Sequence, residues 1–252
     1  MSQPLLPRRA LIGGLASAGA LGLAGCSGDP PTYGSLLRMG DNLTWRAQRL
    51  LLGRGLAREY DRCDITSILA IGTTNPGNAK EPAFDVDQGE TYDQLRRGGF
   101  ADWRLSIEGR VARPGSYSLA DLKRLPARTQ ITKHTCEEGW SAIAEWTGTP
   151  LGLLLKAAGM APTARYVQLY PYDAMTDSID LIDALHPQTI LAYGMNGRDL
   201  PVQHGAPVRL RVETQLGYKS LKYLRRIVVT DGFDDPGKRG PIQNGWSWYA
   251  GI

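Results

Sequence analysis

One cysteine of this chain lies where a fold can present it for chemistry. Cys136 follows a β-like run, residues 129–132, and precedes a loop rich in glycine, tryptophan and charge, residues 137–141. Loops held at strand ends are common places for reactive or metal-binding side chains. A thiolate is a soft ligand that suits transition metals. By itself, the position is compatible with a metal-binding or reactive thiol at Cys136, but a lone cysteine is more often a buried structural thiol.

The two other cysteines bear on that prediction. Cys26 ends the segment 23–26, Leu-Ala-Gly-Cys, which is similar to the lipobox of bacterial lipoproteins and predicts a lipidated Cys26 after cleavage. The alternative is a leader that is cut elsewhere. Because exported proteins can form disulfides, a bond between Cys63 and Cys136 is the main structural alternative to a ligand role. Such a bond needs the two Cα atoms within about 7 Å of each other.

The N-terminal 25 residues have the three-part pattern of an export signal. Arg8 and Arg9 precede an apolar run of glycine, alanine and leucine that is too short to make a good membrane span. A twin-arginine pair is the signal for an export route that carries already folded proteins. This favours a protein whose cofactor is inserted inside the cell before export. The alternative is an ordinary secretory signal. We therefore expect the mature protein in the periplasm or at the outer face of the cytoplasmic membrane, attached by a lipid anchor.

Composition limits the fold and the partners. The 252 residues are 42% hydrophobic, enough for one large domain or two small ones, and 30 glycines with 16 prolines predict many turns. The net charge is +4, and two of its positive charges are Arg8 and Arg9. This excess is too small to indicate nucleic-acid binding, which needs a clustered basic face. The positive charge does not exclude binding of a small anionic ligand.

The elements around Cys136 follow from apolar alternation and turn residues. Strands are predicted at residues 103–109, 129–132, 165–170, 189–193, 200–202, 207–212 and 223–230. Ser118 is a predicted helix N-cap, Pro150 and Gly159 bound another helix, and residues 178–185 predict a third. Asn196-Gly197 predicts a hairpin turn.

The two ends of the mature chain are predicted to pack on this domain. Residues 26–60 read as a tether followed by a broken helical segment, and residues 61–252 as one α+β domain. The aromatic tail, residues 246–249, is expected to pack on the domain, with a partner or pocket contact as the alternative.

Several motifs together resemble the sulfite-oxidase-fold family of molybdopterin-dependent oxidoreductases, in its exported bacterial branch. The similar segments are residues 134–141, 146–151, 185–189, 196–201, 204–210 and 217–222. The resemblance covers about residues 100 to 230. It implies an α+β molybdopterin-binding fold with mixed β-sheets and short helices, formed by residues 61–252.

The resemblance also implies a cofactor and its ligands. Cys136 would be the one protein ligand of a mononuclear molybdenum, completed by the dithiolene of molybdopterin and by oxo groups. The pocket candidates are His134, Glu137, Glu138 and Trp140. The cofactor-binding candidates are Thr74, Asn75, His204, Arg209, Lys219, Ser220 and Lys222. Arg209 could hold a phosphate bidentately, and Lys219 and Lys222 would act as point charges.

The implied function is oxygen-atom transfer to or from a small sulfur- or nitrogen-containing substrate, with the reductase direction favoured. The chain has no haem-attachment motif of the Cys-x-x-Cys-His type, so electrons would be exchanged with a separate redox protein such as a membrane haem subunit. Three alternatives stay open. They are a sulfite-oxidising enzyme of the same fold, a non-catalytic lipoprotein with a Cys63–Cys136 disulfide, and a metal-free anion-binding module built on residues 209–222.

Overall fold

A computed structural model describes residues 33–51, 55–67, 86–173, 175–232 and 246–252. Residues 41–252 form one compact unit, and residues 1–40 form another, of which only the helical residues 33–40 are described. The predicted signal, Cys26, Thr74 and Asn75 lie outside the described residues. None of the helices in the described ranges is long and apolar enough to span a membrane.

The described chain contains strands and short helices in alternation. The strands are β1 (Arg104–Gly109), β2 (Gly115–Ser118), β3 (Arg128–Thr135), β4 (Ser141–Pro150), β5 (Tyr166–Pro171), β6 (Asp177–Asp180), β7 (Ile190–Met195), β8 (Arg198–Asp199), β9 (Arg209–Arg211) and β10 (Leu224–Thr230). The α-helices are α1 (Tyr33–Leu51), α2 (Val86–Arg97), α3 (Leu119–Arg124), α4 (Leu151–Ala158) and α5 (Leu181–Ala184). Single 3-10 turns span Arg62–Asp64, Val202–His204 and Gly217–Lys219.

The strands form two five-stranded sheets. The first has the order β2-β1-β10-β5-β6, in which β1 and β10 are parallel and the other neighbours antiparallel. The second has the order β3-β4-β7-β8, with β9 also paired to β7, and all its pairs are antiparallel. Mixed sheets with short helices are the predicted α+β arrangement. The second sheet carries β3, β4 and β9, the strands that position most of the site described below.

Helix α4 joins the main hydrophobic core. Its buried residues are Leu151, Leu154, Leu155 and Ala158. Because they recur three and four residues apart, they lie on one face of the helix. Pro150 is the N-cap, and Gly159 ends the helix with φ +69°, a left-handed conformation that glycine adopts without a Cβ clash. Both predicted helix boundaries are confirmed.

Local signals also place other elements correctly. The predicted strands at 103–109, 129–132, 165–170 and 223–230 are observed as β1, β3, β5 and β10. Ser118 accepts a hydrogen bond from the Asp121 amide at the start of α3. Asn196 and Gly197 have φ values of +51° and +74°, as a type I′ hairpin turn requires, and they join β7 to β8.

Three local predictions differ from the structure. Residues 178–180 belong to β6, and the helix begins only at Leu181, because the Asp180 side chain accepts a hydrogen bond from the Asp183 amide and caps α5. The predicted strand at 200–202 is not formed, and the one at 207–212 is reduced to β9. Pro201 and Pro207 lie in those segments, and a proline has no N–H to donate to a ladder.

The aromatic tail packs on the domain, as predicted. The Trp248 indole N–H donates to Ser178 Oγ at 2.9 Å, and the Tyr249 hydroxyl donates to Gln48 Oε1 at 2.8 Å. Tyr249 is buried. The tail therefore connects β6 with helix α1.

The core role of α4 gives a stability prediction. We expect Leu155→Ala to lower the free energy of unfolding by about 2–5 kcal/mol, because the side chain is fully buried and its removal leaves a cavity. Leu153→Ala on the same helix is the matched control, since this leucine is 40% exposed, and should cost less than about 1 kcal/mol. Denaturant titration of both variants measures the difference. Equal losses would contradict the assignment of the buried face.

Candidate active site

Cys136 begins the tight loop that joins β3 to β4. The two strands remain paired up to Thr135 and Ser141, so residues 136–140 form the loop. The Cys136 amide donates to the Trp140 carbonyl at 2.9 Å, and the Gly139 amide donates back to the Cys136 carbonyl at 3.1 Å. Gly139 has φ +91°, which favours glycine. The thiol is therefore held at the end of a rigid hairpin.

Cys136 lines a cavity of about 500 Å³, within the usual range of small-ligand sites. Most of the predicted site residues meet in this cavity: His134, Cys136, Glu137, Glu138, Trp140, Arg209, Ser220 and Lys222. The remaining lining residues were not singled out as site residues: Asp173, Met175, Gly217, Tyr218, Leu221 and Trp246. We call this space the Cys136 cavity.

The Cys136 thiol is protonated at neutral pH in the ligand-free protein. Burial, together with the nearby Glu137 carboxylate, raises the pKa of the thiol to about 11. Its Sγ lies 3.3 Å from Glu137 Oε2 and 3.9 Å from Glu138 Oε2. The Trp140 indole N–H holds Glu138 through a 2.8 Å hydrogen bond. A metal cation bound at Cys136 would instead favour the thiolate, because a thiol that coordinates a metal is deprotonated.

A buried ion pair fixes His134. Arg211 Nη1 lies 2.6 Å from His134 Nδ1, and a guanidinium can only donate. Nδ1 therefore accepts, and the neutral ring carries its proton on Nε2. Arg211 in turn contacts both carboxylate oxygens of Glu213, at 3.0 and 2.6 Å. Burial and the Arg211 charge place the pKa of His134 far below its usual value, so the ring stays neutral.

Two arginines of β9 lie against one indole ring. Arg209 and Arg211 are two residues apart on the strand, and their guanidinium carbons are 5.0 and 4.5 Å from the centroid of Trp146. Alternate residues of a strand share a face, which explains why both reach the same ring on β4. The contacts are within cation–π range and fix the direction of both side chains.

The cavity holds two partly desolvated cations. Arg209 is buried and donates to the carbonyls of His204 at 3.1 Å and Ser220 at 2.8 Å. Burial, assisted by the Arg211 charge, lowers the pKa of Arg209 to about 9. Burial, assisted by the Arg209 charge, lowers the pKa of Lys222 to about 7. An anionic ligand in the cavity would stabilise the charged form of both groups.

Two predicted cofactor contacts lie elsewhere. Lys219 is fully buried, its Nζ lies 2.6 Å from Asp177, and it donates to the Ser178 carbonyl at 2.8 Å. These contacts connect the 3-10 turn Gly217–Lys219 to β6. The side chain does not line the Cys136 cavity. Lys219 is therefore not among the predicted residues that the structure brings to the Cys136 cavity. His204 lines a neighbouring cavity of about 590 Å³, and burial lowers the pKa of its ring to about 4.

The predicted disulfide alternative is not formed. Cys63 is exposed, Cys136 is half-buried, and both are free cysteines. The thiol of Cys136 therefore stays open to a ligand. The alternative of a binding module with a Cys63–Cys136 disulfide therefore has no support in the structure.

Sequence reasoning missed several residues that line the cavity or hold its lining residues, for different reasons. Arg211 had a signal, because the alternating basic segment 207–212 puts it on the same face as Arg209. Trp246 lies in the aromatic tail, and the tail's pocket contact is observed as well as its packing. Asp173 and Met175 follow β5 and carry no local signal. Tertiary structure alone brings them to Cys136, and burial raises the pKa of Asp173 to about 7.

The donor set fits a molybdopterin cofactor. In the described parts of the chain, no group of three or more His, Cys, Asp or Glu residues is placed to hold a metal ion. Cys136 instead offers one thiol at a cavity that also contains two cations, which suits a metal that arrives with an anionic organic ligand. Arg209, Lys222 and the Ser220 main chain are the residues placed to hold the anionic part.

Comparison with known proteins points the same way. The family profile described as "Oxidoreductase molybdopterin binding domain" matches residues 93–236. A protein of Azospira oryzae, provisionally named protein-methionine-sulfoxide reductase subunit YedZ1, is 39% identical over 159 residues, which are 63% of this chain and 60% of that protein. The protein-methionine-sulfoxide reductase catalytic subunit MsrP of Xanthomonas axonopodis pv. citri is 32% identical over 241 residues, 87% of this chain and 69% of that protein.

A solved structure supports the fold. The sulfane dehydrogenase SoxCD from Paracoccus pantotrophus superposes with a TM-score of 0.50 and 28% sequence identity, over 52% of this chain and 39% of that one. The chain belongs to the oxidoreductase molybdopterin-binding domain family. The predicted sulfite-oxidase-type fold and molybdopterin as the cofactor are thereby confirmed. The chain spans 60% of the length of the first of these relatives.

The contact between Gly217 and His134 gives a second prediction. A Cβ on Gly217 would overlap His134 Nε2, and this ring is held from behind by Arg211. We expect Gly217→Ala to lower the free energy of unfolding by about 1–3 kcal/mol through overpacking. Gly232→Ala is the control, because an added Cβ there meets nothing within 4 Å, and should change stability by less than about 0.5 kcal/mol. Equal unfolding midpoints would show that His134 is free to move.

Proposed function

We propose that the chain is an exported molybdopterin-dependent reductase that removes an oxygen atom from a small sulfoxide. The observation that carries this proposal is the position of Cys136, whose free thiol lines the same cavity as Arg209 and Lys222. The proposal draws its substrate class from relatives named as protein-methionine-sulfoxide reductases.

The reaction sets what the cavity must provide. Reduction of a sulfoxide consumes two electrons and two protons and releases water, R₂SO + 2H⁺ + 2e⁻ → R₂S + H₂O. When bound, the molybdenum of the cofactor supplies the two-electron chemistry, with Cys136 as its protein ligand. The protein residues bind the sulfoxide, orient it and place hydrogen-bond donors.

His134 is suited to contact the oxygen of the substrate. Its Nδ1 accepts from Arg211, so the remaining proton is on Nε2, the ring faces the Cys136 cavity, and the ring is neutral. A fixed N–H donor stabilises negative charge that develops on an oxygen. Arg211 and Glu213 are positioning residues, since they act on the substrate only through His134.

Aromatic side chains offer a surface for the apolar part of the substrate. Trp140 lies with its ring centroid 5.7 Å from that of His134, and Tyr218 and Trp246 pack together at 5.0 Å on the cavity wall. Sulfur groups make favourable contacts with aromatic rings. A thioether or sulfoxide with short alkyl substituents fits this combination of aromatic walls and one neutral donor.

Electrons would come from a separate redox protein. Within the described residues, His186 and His204 are buried and His134 is half-buried against Arg211, and the sequence carries no haem-attachment motif. We propose a membrane haem protein as the electron donor. Reduction in the exported compartment needs such a donor, because that compartment is oxidising.

The function is tested by substitution of Cys136 and, separately, of Cys63. We expect Cys136→Ser to abolish reduction of methyl sulfoxides by a viologen dye while pterin stays bound, because the thiolate ligand is lost and the anion contacts remain. Cys63→Ser is the matched control and should keep full activity, since Cys63 is exposed and outside the cavity. Turnover, molybdenum by mass spectrometry and pterin by fluorescence are measured together. Full activity of Cys136→Ser would disprove the assignment.

We further propose export by the twin-arginine route and lipid attachment at Cys26. The support is the Arg8-Arg9 pair and the lipobox-like segment 23–26. We expect Arg8→Lys combined with Arg9→Lys to leave the protein in the cytoplasm, and we expect an acylated N-terminal Cys26 in the mass spectrum of the mature wild-type chain. Cleavage at another position, with an unmodified N-terminus, would refute lipid attachment.

A further inference from the structure

The inner face of helix α1 is polar. The Trp45 indole N–H donates to Asp180 Oδ2 at 2.8 Å, and Arg49 contacts Asp180 and Asp183 at 2.8 and 2.5 Å. Gln48 accepts from the Tyr249 hydroxyl at 2.8 Å. These three side chains of α1 lie three and four residues apart, so they share one face of the helix. Helix α1 is therefore attached to the domain mainly by charges and hydrogen bonds.

The opposite face of α1 is apolar and exposed. Leu43 is 64% exposed, Leu50 84% and Leu51 78%. Because they are seven and eight residues apart, these leucines lie on one side of the helix, and Ala47 is exposed between them. A helix of a globular protein normally turns its apolar face toward the core. The amphipathic character of α1 is reversed, which marks the leucine face as a surface for something outside the domain.

The chain just beyond the helix also exposes an apolar side chain. Leu56 is 64% exposed and lines a cavity of about 200 Å³ together with Gln48 and Arg49 of α1. Arg46 is exposed, at the flank of the leucine face. We define the leucine face as Leu43, Leu50 and Leu51. The other large exposed apolar side chains in the described residues are Leu56, Leu153, Ile182, Trp246 and Ile252, of which Leu56 and Ile252 line one small cavity.

The N-terminal chain indicates what covers this surface. Six residues, 27–32, separate Cys26 from Tyr33, the first residue of α1. Seven Cα-to-Cα steps span at most about 25 Å. Lipid attachment at Cys26 is part of the function proposed above. With that lipid in a bilayer, Tyr33 at the start of α1 lies within about 25 Å of the membrane surface. An apolar face flanked by arginine is typical of helices that lie in the interfacial layer of anionic membranes.

We propose that the leucine face of α1 lies in the headgroup layer of an anionic lipid bilayer and forms a second membrane contact besides the lipid anchor. The leucines enter the boundary between headgroups and acyl chains, and Arg46 pairs with lipid phosphates. The polar contacts of Trp45 and Arg49 then hold the domain to a membrane-bound helix. The contact is a property of the folded chain and does not need the acyl group.

The test separates this contact from the lipid anchor. The full chain carrying Cys26→Ser, loaded with cofactor, is mixed with vesicles of phosphatidylcholine alone or with one third phosphatidylglycerol, and sedimentation gives the bound fraction. We expect binding to the anionic vesicles. Adding Leu50→Ser and Leu51→Ser should weaken it at least about tenfold, which corresponds to about 1.4 kcal/mol.

Matched controls make the result decisive. Leu153→Ser with Ile182→Ser removes two exposed apolar side chains elsewhere and should leave vesicle binding unchanged, and Arg46→Gln should weaken binding to anionic vesicles only. Circular dichroism and molybdenum content verify that each variant is folded, and Leu43→Ser alone replaces the double variant if that variant unfolds. No binding by the Cys26→Ser chain, or equal binding by the leucine variant, would overturn the proposal. Absence of acylation at Cys26 would refute the anchor alone.

Discussion

The site depends on one buried ion pair, Arg211 with Glu213. Both side chains are almost completely buried, and Glu213 also accepts from the Gln130 amide on β3 at 2.9 Å. Removing two charges from water is costly, so such a pair contributes little net stability, whereas loss of one partner leaves an uncompensated buried charge. Here it determines which nitrogen of His134 carries the proton and keeps Arg211 against Trp146. Strands β3, β4 and β9 are connected through this one cluster.

The same strand, β9, brings a second positive charge to the cavity. Burial makes the charged forms of Arg209 and Lys222 less stable than they would be in water, and this lowers the pKa of both side chains. An anionic cofactor offsets that cost, so its binding and the folding of this region are thermodynamically linked. The twin-arginine export proposed above would be consistent with this linkage, since the cofactor would complete the site before transport.

Helix α1 follows a different physical rule from the rest of the domain. Helix α4 buries Leu151, Leu154 and Leu155. Helix α1 instead places polar side chains against Asp180 and Asp183 and exposes Leu43, Leu50 and Leu51. Ion pairs can hold a helix whose apolar face is left for another environment. Sequence periodicity shows only that a helix is amphipathic and does not tell which face meets the domain.

The sequence by itself determined the features that depend on local chemistry: the strand before Cys136, the boundaries of α4 at Pro150 and Gly159, the Asn196-Gly197 turn, and the family, which its ordered motifs specify. It did not determine which distant residues share the cavity. Asp173, Tyr218 and Trp246 reach the Cys136 cavity from separate parts of the chain, and Lys219 contacts Asp177 although it neighbours Ser220 in the chain. Only the tertiary structure decides these contacts, because side-chain direction and burial depend on how the sheets pack, and no local pattern encodes them.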